Sequence, residues 1–191
     1  LTDHGRQMAE LPLHPRLAHM LIRAISLGLA DKACEVAALL SERDVLQGSS
    51  ADQTVDVRVR LDVLQGEYDS GSQAVNRTAL ERVRRTAQLW RRQLKRLSGK
   101  PNGDGHDHPY VAGLLLALAY PDRIAQRQPG EIASYRLVNG RGARFRRPDP
   151  IATEPFLVIA DLDGGGQWAD INLAAPITCE AIESLYQEKV I

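Results

Sequence analysis

The chain has 191 residues and 43% apolar content, enough to bury a core in one large domain or two small ones, which excludes a disordered chain. Aromatic residues make up only 5%, so that core is mostly Leu, Val, Ile and Ala, and no apolar run approaches the roughly 20 residues needed to cross a bilayer. Twenty-four bases balance twenty-four acids, a neutrality that hides strong segregation along the chain.

Leu1–Glu10 reads as a strand end, a turn at Asp3–Gly5 and a short helix. Pro15 is placed as the first-turn proline of a helix with Leu17, Met20, Leu21, Ala24 and Ile25 on one face, ended by Gly28. Asp31 is expected to cap a second helix that turns Ala33, Val36, Ala37 and Leu40 inward, forming an antiparallel hairpin with the first. Gln47–Thr54 is polar and rich in Gly and Ser, hence a loop. Asp56–Tyr68 predicts a third helix, capped by Asp56 and burying Val57, Leu61 and Leu64, and Asp69–Ser72 breaks it.

Arg77–Lys100 is the segment around which the rest is organised. Leu80, Val83, Ala87, Trp90, Leu94 and Leu97 recur at alternating steps of three and four, a single helical stripe that must be buried. The segment also carries nine bases against one acid, Glu81. Folding requires the stripe but not the like charge, because cations four residues apart repel. A solvated face normally interleaves acids, and this one hardly does. The pattern points to an anionic partner, of which nucleic acid is the commonest. The stripe covers fewer than three heptads, so packing within a bundle is preferred to a dimeric coiled coil, and a monomer is expected.

Gly99–Pro109 reads as a flexible loop, and Tyr110–Tyr120 as a central helix, apolar on all sides and stopped by Pro121. Beyond it the period shortens. SYRLVNGRGARF sets two strands around Asn139–Gly140, PFLVIADL is a continuous strand, and WADINLAAPI alternates. Four strands with tight turns predict part of a small antiparallel barrel, followed by a helix that Thr178 caps and that turns Ala181, Ile182 and Leu185 inward. Helices first and strands after give an α+β class. Ser134–Pro148 holds five arginines and no acid, while Asp149–Ile191 holds eight acids and one base. Two basic islands therefore lie in acidic surroundings.

LTDHGRQMAELPLHPRLAHMLIRA, AALLSERDVL, GLLLALAYPDRIAQR and LVNGRGARF together resemble the HrpB-type helicases of the DEAH/RHA group in superfamily 2. The likeness runs from Leu1 to about Pro176. It implies that Leu1–Leu11 is the tail of a winged-helix domain, Pro12–Tyr120 a helical ratchet or helicase-associated domain, and Pro121–Pro176 an OB-like barrel. Ile177–Ile191 would then open a further C-terminal region. The chain starts inside a motif and has no glycine-rich phosphate loop, so it is expected to be a piece of something longer, lacking ATPase activity alone. No cofactor is expected in this chain, ATP and Mg belonging to the RecA-like ATPase domains elsewhere in the parent. The partners implied are those domains and a single strand of nucleic acid, with RNA the expected strand.

Arg84, Arg85, Arg91, Arg92, Arg141 and Arg144 are the expected phosphate contacts, with no catalytic or metal-binding residue. Backbone contact should dominate over base readout. Near the barrel hairpin, Tyr135, Phe145 and Trp168 are the stacking candidates, but strand alternation sets Tyr135 and Phe145 opposite their neighbouring arginines and thus in the core. An alternative reading makes the basic helix a docking scaffold for an acidic protein. His106-Asp107-His108 sits in a glycine-rich loop without further ligands and is set aside as a metal site. Asp161-Leu162-Asp163-Gly164 fails as a calcium loop, because Asn172 stands where the twelfth-position glutamate is needed. Ser41-Glu42-Arg43-Asp44 reads either as a contact for an ATPase domain or as a helix end with local ion pairs. Cys34 and Cys179, far apart in a chain without a signal-like start, fit a reduced cytoplasmic compartment and no disulfide.

Overall fold

The computed structural model describes residues 2–48, 53–68, 74–98, 108–130, 133–164 and 168–187. Two compact units emerge, one made of Leu1–Gly48 and Val59–Asp107, the other of Ser49–Arg58 and His108–Ile191. The helices are α1 (Asp3–Ala9), α2 (Pro15–Ser26), α3 (Ala30–Ser41), α4 (Val57–Gln65), α5 (Arg77–Ser98), α6 (Val111–Ala119) and α7 (Cys179–Tyr186). The strands are β1 (Ile124–Arg127), β2 (Ser134–Leu137), β3 (Gly142–Arg144), β4 (Phe156–Asp163) and β5 (Trp168–Pro176).

In the first unit the expected strand end and turn at Asp3–Gly5 are instead the opening of α1. The Thr2 hydroxyl accepts from the Gly5 N–H at 3.1 Å, and Asp3 occupies the first turn, where a carboxylate suits the helix dipole. Helix α2 begins at Pro15 and closes before Gly28, whose φ of 70° is the left-handed conformation glycine tolerates best. Asp31 lies inside the first turn of α3, and Leu29 takes the cap position without a side-chain bond. The interior of this unit is built by α2, α3 and α5, with Met20, Leu21, Val36, Ala37, Val83 and Trp90 buried. The α5 stripe is buried at Val83, Ala87, Trp90 and Leu94 and half-buried at its ends, Leu80 and Leu97, with Ala79 added to it.

The loop after α3 is tied down. Asp44 holds Arg60, 4% exposed, through a 2.7 Å ion pair, and its other oxygen accepts from the Leu46 N–H at 3.0 Å. Glu42 accepts from the Thr86 hydroxyl of α5 at 2.8 Å. The Ser41–Asp44 segment thus ends a helix, and its acids reach partners well beyond the neighbouring residues. The breaker at 69–72 and most of the loop at 99–109, with His106 and Asp107, lie outside the described residues.

In the second unit five strands, one more than the sequence reading counts, close a barrel in the order β1-β2-β3-β5-β4. β1 escapes periodicity because it has only four residues, two buried and then two exposed. Four pairings are antiparallel as expected; the fifth, β3 with β5, is parallel. The reason is connectivity: β4 returns the chain between them, so β5 resumes the direction of β3. Tyr135, Leu137, Phe145, Ile151, Leu157, Ile159 and Ile171 fill the interior, with the Tyr135 ring edge-on to Phe145 at 5.7 Å. Val55 joins this core, and its carbonyl accepts from the Ala174 N–H at 2.8 Å. Asp149 pins that segment by accepting from the Thr54 hydroxyl and the Val55 N–H, both at 2.9 Å.

Helix α6 is buried except at Leu114, in keeping with its apolar composition. Gly113 lets it approach β5, since a Cβ there would lie 2.0 Å from the Pro176 carbonyl oxygen. Thr178 caps α7 through the Ala181 N–H at 3.1 Å, and Ala181, Ile182 and Leu185 are half-buried. Cys34 and Cys179 are both free thiols. Among the described residues no helix is long and apolar enough to cross a membrane.

Candidate nucleic-acid interface

Burial of one α5 stripe decides what the other residues of that helix do. Arg84 and Arg91 border the buried face, so their long stems reach back into the bundle. Arg84 donates to the Leu64 carbonyl at the end of α4, at 2.9 Å from Nη2 and 3.3 Å from Nε, satisfying an orphan carbonyl of that helix. Arg91 forms an ion pair with Glu35 of α3, and its Nε lies 3.4 Å from Asp31. Asp31 and Glu35 are four residues apart on α3 and present one acidic face to it.

The opposite side of α5 is different. Arg82, Arg85, Leu89, Arg92 and Arg96 follow at steps of three, four, three and four, all exposed, with Lys95 beside them. From Arg82 to Arg96 the row covers 15 residues, about 21 Å along the helix. Arg85 stands 3.7 Å from Glu81 with 81% of its side chain exposed, a separation and exposure at which an ion pair contributes little. Arg82, Arg92, Lys95 and Arg96 make no ion pair among the described residues. Leu89 sits in the middle of the row, 50% exposed.

On the barrel the hairpin turn forms at Asn139–Gly140, with Gly140 at φ 86° and the Asn139 side chain accepting from the Arg141 N–H at 3.0 Å. Alternation turns Arg136 and Arg144 outward and Tyr135 and Ala143 inward. Arg144 and its neighbour Arg146 meet acids from the acidic end of the sequence, whereas Arg136 makes no ion pair among the described residues. Asp170 of β5 lies opposite Arg144 in register, 3.2 Å from its Nε, and also accepts from Arg146 Nε at 2.8 Å. Arg146 reaches Asp163 of β4 at 3.0 Å as well. Hydrogen bonds from Arg146, then Arg144, hold the Asp170 carboxyl below its usual range, and the bond to Asp170 raises Arg146 in turn. Arg141 donates to the Gly164 carbonyl. Trp168 is 37% exposed and lies over Gly142, where a Cβ would meet the indole at 2.7 Å.

Of the six arginines expected as phosphate contacts, Arg84, Arg91, Arg141 and Arg144 therefore hold protein groups, and Arg85 and Arg92 project into solvent. The exposed row also takes in Arg82, Lys95 and Arg96, which the sequence reading did not single out. Their signal was available in part: Arg96 and Lys95 lie well away from the apolar stripe on the helix, whereas Arg82 lies no farther from it than Arg84. Among the described residues no cluster of three or more His, Cys, Asp or Glu is arranged to hold a metal. Asp161, in the discarded calcium motif, accepts from the Asn172 amide at 3.1 Å.

No family model matches the chain. Among curated proteins it is 30% identical over 187 residues to the ATP-dependent RNA helicase HrpB of Escherichia coli (strain K12). The likeness is to the C-terminal region of a HrpB-type helicase. It takes in 98% of this chain and 20% of that protein, so the chain spans about a fifth of its curated relative. Two solved structures agree. The E. coli DExH-box NTPase HrpB is matched at TM-score 0.72 and 26% identity over 98% of this chain and 20% of that one. A structure described as the E. coli DEAH/RHA helicase HrpB is matched at TM-score 0.66 and 26% identity, covering 94% of this chain and 20% of that one.

Proposed function

We propose that this chain is the nucleic-acid-guiding accessory region of an ATP-dependent helicase, contacting the phosphate backbone of a single strand, RNA in the first instance. RecA-like domains of a parent protein hydrolyse ATP with Mg, and this chain works against them without a cofactor of its own. The first unit serves as the helicase-associated, ratchet-like bundle. The second serves as an OB-like barrel, a reading favoured by five strands closed in a ring, since such barrels bind oligonucleotides. Two free thiols suit a cytoplasmic setting.

The observation that carries this reading is the outward row of α5: five cations, Arg82, Arg85, Arg92, Lys95 and Arg96, with Glu81 the one acid in the helix. Such a row attracts a polyanion, and folding does not require it. Arg85 and Arg92 lead as phosphate contacts; Arg141 and Arg144 serve only after exchanging protein acceptors for phosphate. Fluorescence anisotropy with a labelled single-stranded RNA tests the assignment. The Arg85→Glu/Arg92→Glu variant should bind at least tenfold more weakly, and Arg141→Ala/Arg144→Ala should change affinity less. Unchanged affinity in the α5 variant, with its fold intact by circular dichroism, would sink the proposal.

Leu89 favours a second reading. A half-exposed leucine among arginines suits an acidic protein segment better than a phosphate chain. Loss of a protein partner, with RNA binding untouched, in Leu89→Ser would favour that reading.

A further inference from the structure

Three of the five histidines gather where the first two helices meet: His4 on α1, His14 at the start of α2 and His19 within it. His4 Nε2 and His19 Nδ1 lie 2.8 Å apart, with the rings edge-on and 4.8 Å between centroids. At that separation one nitrogen donates and the other accepts, so the bond exists only while one of the two is bare. His14 has the same requirement by a different route. Pro15 brings no N–H, and His14 Nδ1 caps α2 by accepting from the Arg16 N–H at 3.3 Å. A proton on Nδ1 would delete that acceptor and set a cation at the positive end of the helix dipole.

The attachment of α1 leans on this pair. The helix has seven residues, none of them buried, whereas α2 buries six. So short a helix is marginal by itself, and an element with little burial is among the first to open. The neighbouring charges on α2 oppose a second proton on the pair, since Arg16 and Arg23 stand one turn to either side of His19. On α1, Asp3 beside His4 is tied to Arg6 at 3.2 Å, and Glu10 lies past the helix end. Helices α3 and α5 also pack against α2. The α3 acids Asp31 and Glu35 face Arg91, with Lys32 3.9 Å from Glu35, and the α5 acid Glu81 stands beside Arg85. We propose that α1 and α2 form an acid-released latch, in which protonation of both His4 and His19 frees α1 from its seat on α2. Its sign follows from the bonds: each is present while an imidazole nitrogen is bare, and is lost as pH falls through the range, about 8 to 5, in which imidazole ordinarily takes up its proton. The latch does not depend on nucleic-acid binding.

The test is an NMR titration of the ¹³C,¹⁵N-labelled chain from pH 8 to pH 5. At pH 8 the imidazole ¹⁵N shifts should show one bare and one protonated nitrogen across the pair, with NOEs joining the two rings. By pH 5 those NOEs should weaken at least threefold and the Cα shifts of Arg6–Ala9 should move toward coil values, while those of α3 stay helical. His4→Gln keeps a hydrogen-bonding group that does not titrate, and should cut the pH response of the α1 shifts at least threefold. His14→Asn keeps a cap at every pH, and should quiet the Arg16 amide while leaving the α1 transition in place. The wild-type titration decides even where a variant fails to fold. Constant α1 shifts from pH 8 to pH 5, the same change in His4→Gln, or loss of α3 together with α1 would each overturn the proposal.

Discussion

At the scale of single residues, environment outweighs residue type. Cys34 and Cys179 are the same thiol in the sequence. Burial pushes Cys34 up to about 12, against the smaller opposing pull of Arg91, whereas Cys179 is exposed, raised in a direction set by desolvation and then Glu183. Only the thiolate reacts. Iodoacetamide at pH 8 should therefore modify one thiol of the native chain, Cys179, and two after denaturation; mass spectrometry of labelled peptides reads the outcome. Asp170 is the parallel case among acids. Its folded carboxyl is depressed by Arg146 and Arg144, so its contribution is present above the ordinary carboxylate range and lost as pH falls through its lowered value. An Asp170→Asn variant should flatten the acid limb of the stability profile below about pH 4. If Arg144 and Arg146 also touch phosphate, the same variant should bind single-stranded RNA more tightly at neutral pH, and an unchanged affinity would exclude them. The basic islands were legible in the sequence, but their pairings were not. Asp170 meets Arg144 through a parallel strand register, and Arg91 meets Glu35 across 56 residues of sequence.

At the scale of elements, α5 was legible because 22 residues repeat one stripe several times over. Its buried face sets a clear expectation. Leu94, 3% exposed, should cost about 2–5 kcal/mol on truncation to Ala, measured by urea unfolding. Leu89→Ala on the opposite face should stay within about 0.5 kcal/mol, and a reversal of the two would mean the helix faces the other way. Helix α6 makes a different demand. Alanine normally improves a helix over glycine, yet at Gly113 its methyl meets the Pro176 backbone, which cannot move aside as a flexible side chain does. Gly113→Ala should therefore destabilise the barrel unit by about 1–3 kcal/mol, the usual cost of overpacking. Shorter elements were harder to foresee. β1 offers too few residues for a period, and Val55 enters the barrel by pairing with Ala174, a contact 119 residues away that no local pattern announces.

At the scale of the whole molecule, a formal net charge of zero makes nonspecific attraction to a polyanion weak, so a salt-sensitive affinity must come from local fields. That separates the readings by one measurement. Each phosphate neutralised on a single strand contributes about −0.7 to the slope of log affinity against log salt. Five α5 cations, if all engaged, predict a slope near −3.5 between 50 and 200 mM salt, and fewer contacts give proportionately less. Arg85→Glu/Arg92→Glu should reduce the slope by about 1.4 or more, because reversal removes two contacts and adds repulsion. Arg84→Gln should leave the slope unchanged, since its guanidinium holds the Leu64 carbonyl, and should appear in stability instead. A wild-type slope near zero, with measurable binding, would assign the affinity to packing and hydrogen bonds and remove the α5 cations as the strand's contact.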